Sequence, residues 1–81
     1  MKKPQLVLIE WTDVESDATW MDKVEMKEWS LKAPIAKEIG WIYSENKDMV
    51  VLFSQFFPDG TIGNKTKIPK AFIKTRKILE E

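Results

Sequence analysis

The residue types that most often move protons, attack carbonyls or hold metals are scarce in this chain, whose 81 residues include no histidine and no cysteine. Their absence removes the commonest general base, the commonest metal ligand, the thiolate nucleophile and the serine-histidine-acid arrangement together. Carboxylates remain. Asp13, Glu15 and Asp17 fall at alternate positions, as the first ligands of a calcium loop do, but such a loop needs glycine at its sixth place and glutamate at its twelfth. Here those places hold Ala18 and Val24. The segment reads as a solvated acidic loop, and carboxylates at this spacing are no signature of glycoside or phosphoryl chemistry. "PDGTIGN" carries two glycines near a strand end but lacks the Lys-Ser/Thr and the helix of a phosphate loop, so it reads as a hairpin turn. No enzymatic role, cofactor or metal is expected from these residues.

Two groups suit binding better. The closing stretch "KTKIPKAFIKTRKIL" holds six cations and no acid. Lys65, Lys67, Lys70, Lys74 and Arg76, with Phe72 nearby, are the residue types that track single-stranded nucleic acid. The competing structural reading pairs the closing strand with the first one, which brings Lys74, Arg76 and Lys77 towards Glu10, Asp13 and Glu15. Such pairs contribute up to about 1 kcal/mol each and cancel the field a phosphate backbone needs. The structural reading is preferred. The second group is Trp20, Met21, Met26 and Trp29, soft and polarisable side chains favoured at protein interfaces and equally able to fill a core. They belong to an arm expected to fold over Leu6 and Leu8.

The elements that must position these groups follow from periodicity. In "LVLIEWTDV", residues 6–14, Val7, Ile9 and Trp11 alternate onto one face of a strand, with Leu6 and Leu8 on the other. Thr19 followed three places later by Asp22 imitates a capping box, predicting a short helix over 19–28 on which Trp20 and Val24 share a face with Leu31 near it; the alternation of Val24, Met26 and Glu28 leaves an irregular arm or a strand as the alternative. Beyond Pro34, Ile35, Ile39, Trp41 and Tyr43 line one side of an extended run in which Gly40 offers a bend or bulge. "SENKD" predicts a tight turn. "MVVLFSQFF" predicts a strand with Val51 and Phe53 on one face and Val50, Leu52 and Phe56 on the other. Lys67 and Ile68 finish a strand that Pro69 must stop, "KAF" makes one helical turn, and "IKTRKIL" closes the sheet.

That ending resembles those of Src-homology-three-like and Sm-like small barrels. The clusters "WTDVESDATW", "IGWIYSENKDMVVLF" and "KIPKAFIKTRKIL" together resemble a family of small, mostly uncharacterised proteins of tailed bacteriophages and prophages. Val14 departs from that pattern, which has alanine there. The resemblance implies a phage gene product acting in the host cytoplasm and implies little about its activity.

The expected fold is mainly β, a five-stranded small barrel or strongly bent antiparallel sheet around a tryptophan-rich interior that includes Trp11 and Trp41. It forms one domain over residues 1–81 with one short helical insertion. Formal net charge is zero, which argues against a general polyanion binder, yet seven acids stand against Lys23 and Lys27 between Glu10 and Glu28. The N-terminal "MKK" precedes an apolar run too short for a signal-peptide core or a membrane span, so no membrane association is expected. One arm of about ten residues cannot cover both outer faces, so Val50, Leu52 or Phe56 is expected to be hidden by a second copy, making a homo-oligomer. The expected role is a non-enzymatic phage accessory protein that binds a host or phage macromolecule. The alternative is a single-stranded nucleic-acid or nucleotide binder.

Overall fold

The computed structural model describes residues 4–80; the N-terminal lysines Lys2 and Lys3 lie outside them. Five strands and one helix follow in the order β1 Leu6–Thr12, α1 Lys23–Ser30, β2 Ile35–Glu45, β3 Met49–Phe56, β4 Ile62–Pro69 and β5 Ile73–Glu80. All pairings are antiparallel and the strand order is β4-β3-β2-β1-β5. β4 and β5 are therefore opposite edges, yet only the 3-10 turn Lys70–Phe72 joins them. Four strand spacings of about 4.8 Å hold the edges of a flat sheet about 19 Å apart. Three residues rising about 2 Å each reach well under half that distance. The sheet must bend for the chain to close the gap, and it does so without sealing into a barrel.

The bend is built into the sequence. Gly40 is buried opposite Val7. A Cβ there would lie 2.9 Å from the Phe53 carbonyl oxygen and 3.4 Å from Leu52 Cβ, so β2 and β3 approach only because the side chain is missing. The β2–β3 register slips between Ile42 and Ser44, leaving Tyr43 as the extra residue, and β1–β5 slips at Leu6/Val7 and Glu10/Trp11. Such bulges raise local twist and turn a flat ladder into a curved one.

Val7, Ile9, Val50, Leu52 and Ile68 form the core, each 0–1% exposed, with Trp11, Ile42 and Ile73 packed against them. Each aliphatic side chain so buried contributes about 1.5–3 kcal/mol of transfer free energy. Among the described residues the buried hydrophobic side chains are these aliphatics and Phe53, 8% exposed, with no tryptophan among them, which corrects the expected tryptophan-rich interior. Trp11 lies at its margin, and Trp41 stands on the other side of the sheet. There it packs with Phe53 and Phe56 at ring-centroid distances of 5.8 and 5.5 Å. Val50 and Leu52 need no second copy to hide them, because they face Ile68 and Ile42 across the ladders. Phe56, 59% exposed, remains uncovered.

Local boundaries moved for identifiable reasons. The first strand stops at Thr12, where Asp13 N–H donates to the Pro34 carbonyl and its carboxylate turns back to accept from Val14 N–H. The helix begins four residues later than the spacing of Thr19 and Asp22 suggested. Asp22 is itself the N-cap, accepting at 2.8 Å from Glu25 N–H, while Thr19 is engaged by Asp17 instead. β2 runs on through Ser44 and Glu45. Its turn is held by Asn46, whose side-chain oxygen accepts from the N–H groups of Asp48 and Met49. Ile62, Gly63 and Asn64 belong to β4, and the hairpin turn before it has Gly60 at φ 94°, a backbone state glycine occupies without strain.

Candidate functional site

Residues 13–34 leave the sheet between the paired ends Thr12 and Ile35 and form an arm. Its helix makes no substantial contact with any strand and has no buried residue. This corrects the expectation that the arm folds over Leu6 and Leu8; these two are half-buried beside Trp41 and Ile39, their partners on β2. The molecule measures 54 × 22 × 21 Å, with a radius of gyration of 16.4 Å. A compact chain of this length has about 12 Å. The excess is the arm standing off the sheet.

The arm holds itself together. Met21, Met26 and Trp29 line a depression with Glu15, Ser16, Asp17 and Thr19, so the limb before the helix lies along the helix face that carries Met26 and Trp29. Met21 and Trp29 are half-buried there, and Met26 is 49% exposed. Asp17 fixes the limb by accepting from both the hydroxyl and the N–H of Thr19. These bonds hold its carboxyl below the ordinary carboxylate value. The Glu25 N–H does the same for Asp22 at the helix cap.

Trp20 points away from this small cluster and is 99% exposed. Val24 at 69% and Leu31 at 77% are also open to solvent and fall seven residues apart, on one helical side. Sequence reasoning placed Trp20 with Met21, Met26 and Trp29 as one group. The structure splits it into an internal clasp and an outward indole that precedes the helix, and leaves exposed Val24 and Leu31, the residues expected to lie with Trp20 on one face.

The basic residues are also divided. Glu45 accepts two bonds from the Arg76 guanidinium, at 2.9 and 2.8 Å, and an ion pair from Lys70 at 2.7 Å. The Arg76 bonds, then Lys70, lower its pKa from 4.5 to about 2. Glu45, at the end of β2, therefore ties the closing turn and β5 to the middle of the sheet. Among the described residues none of the expected partners Glu10, Asp13 and Glu15 forms an ion pair with these cations, although Asp13 and Lys74 line one depression. β5 does pair with β1, but Glu10 faces Thr75. Among the described residues no carboxylate lies within 4 Å of Lys65, Lys67, Lys74 or Lys77. Lys65 and Lys67 stand on β4 and Lys74 on β5, the two edge strands that the Lys70–Phe72 turn joins. Asp13 shares a depression with Phe72 and Lys74, placing an acid where a phosphate contact would be needed.

Beside Lys65, on the sheet, lies an apolar dish of about 290 Å³ lined by Tyr43, Val51, Leu52, Phe53 and Ile62. No group of three or more His, Cys, Asp or Glu residues among the described residues is placed to hold a metal. Among the described residues no helix is long and apolar enough to cross a membrane. Compared with known protein families, curated proteins and solved structures, the chain matches none.

Proposed function

We propose that this protein is a non-enzymatic binding module whose arm, residues 13–34, docks on a protein partner through Trp20 with Val24 and Leu31. The observation that carries this reading is the exposure of Trp20 on an arm that the sheet does not support. An indole left in water forgoes burial of about 150–250 Å², and the apolar residues beside it repeat the loss. Aromatic side chains in this setting are the usual anchors of protein interfaces. The resemblance to small phage proteins suggests an accessory role in an infected bacterial cell. Nucleic-acid contact has less support, because Glu45 occupies two of the five candidate cations.

A photo-reactive side chain in place of Trp20 tests the proposal. The expected result is a discrete protein adduct in cells, lost when the same group is moved to Asp59 in the β3–β4 turn. Adducts of equal yield from both positions, or none from position 20, would overturn it.

A further inference from the structure

We infer, on the strength of the docking role given to the arm, that the partner is a second copy of this chain. Trp20 of each copy seats in the other's Tyr43–Val51–Phe53–Ile62 dish, with Lys65 at the rim, and closes a two-fold dimer.

The first argument is reach. Tyr43 lies eight residues along β2 from Ile35, where the arm is rooted, which is about 26 Å in a strand. The arm leaves from the far end of that strand, its helix makes no substantial contact with any strand, and Trp20 is 99% exposed, so Trp20 does not fill its own dish. Two chains laid antiparallel set each arm over the dish of the other, and both contacts form under one symmetry axis, as closed dimers require.

The second argument is charge. Residues 13–34 carry six acids and three lysines, a net −3, while the rest of the chain carries seven acids and ten bases, a net +3. Trp20 lies between Asp17 and Asp22, and the dish lies beside Lys65 with Lys67 two residues further along β4. The net-negative arm that carries Trp20 thus meets an apolar dish with lysine at its rim. Lys65 can also stand against the indole face as a cation. With formal charge zero, two copies approach without long-range repulsion.

The third argument is area. On each copy Trp20, Val24 and Leu31 of the arm, with Ile39, Tyr43 and Phe56 of the sheet, are more than half exposed. At about 60–120 Å² for each such side chain, the two copies can remove on the order of 1,000 Å² from water, which reaches the lower range of specific interfaces.

Sedimentation equilibrium on the purified full chain tests this. The mass is expected to rise from 9.5 kDa towards twice that value with concentration, and to fall again at high salt. Trp20→Ala should weaken dimerisation about tenfold or more with unchanged circular dichroism, since that side chain supports nothing within the monomer. Lys65→Glu should do the same by setting an acid against the net-negative arm. A mass of 9.5 kDa up to about 1 mM, or a dimer indifferent to Trp20→Ala, would overturn the inference. If the chain is monomeric and the cross-linker at position 20 still captures a different protein, only the self-docking fails. If it captures nothing, the docking role fails as well.

Discussion

Replacing Glu45 with glutamine removes the charge that gathers Arg76 and Lys70 while keeping a side chain of similar shape. The fall of the Glu45 pKa from 4.5 to about 2 corresponds to at most about 3.4 kcal/mol, at 1.36 kcal/mol for each tenfold change in proton affinity. The side chain is 30% exposed and the residue as a whole lies at the surface. Solvent screening therefore reduces that ceiling, and about 1–2 kcal/mol is the expected contribution. Because the folded-state pKa is depressed, the stabilisation is complete above about pH 4.5 and disappears as pH falls towards 2. Urea unfolding followed by tryptophan emission should show Glu45→Gln less stable by about 1–2 kcal/mol at neutral pH. For a chain this short that lowers the melting temperature by about 4–16 °C. The gap between the variant and the original protein should close below about pH 3. Arg76→Gln should cost a similar amount and add little to Glu45→Gln, as a shared contact requires. Equal stability of the two proteins at pH 7, or a gap that persists unchanged at low pH, would refute the reasoning.

Further outcomes follow from the packing. Gly40→Ala should destabilise by about 1–3 kcal/mol in the same urea assay, because the new Cβ meets the Phe53 carbonyl oxygen at 2.9 Å. Leu52→Ala, emptying a fully buried position, should cost about 2–5 kcal/mol. Asp22→Ala removes the cap of α1 and should cost about 1 kcal/mol of local helix stability, seen as faster amide exchange across 23–30 while exchange in β1 and β3 is unchanged. Lys65→Glu with Lys67→Glu should leave the behaviour with single-stranded oligonucleotides at low salt unaltered, since no shift is expected from the unmutated chain; a salt-sensitive shift lost in the double variant would restore the nucleic-acid reading.

The alternation of Val7, Ile9 and Trp11, the glycine at position 40 and the proline-led turn at Pro69 are local features, and each placed its element correctly. Together they also implied that the last strand lies beside the first. What periodicity could not decide was which side of β2 and β3 faces the core. Both strands carry large apolar residues on both sides, and the side shared by Ile35, Ile39 and Trp41 is richer than the one that is buried. The answer depends on the bend, which turns Gly40 and Leu52 inward and leaves the half-buried Trp41 to cover Phe53 on the opposite side. Glu45 was hidden for a different reason. Its partner Arg76 is 31 residues away, and in sequence Glu45 looks like a turn residue next to Asn46. In the arm, Thr19 and Asp22 competed for the cap, and Asp22 takes it by accepting from the Glu25 N–H while Thr19 is held by Asp17. Trp20 was singled out, but only the structure separates it from the Met21, Met26 and Trp29 clasp.

The claim on which the functional account rests is that the arm stands clear of its own sheet. Small-angle scattering of the full chain, extrapolated to infinite dilution so that only the monomer is seen, measures this directly. The account predicts a radius of gyration near the 16.4 Å of the structure; a value near 12 Å, that of a compact chain of this length, would mean that the arm has folded back and that Trp20 is not free to dock.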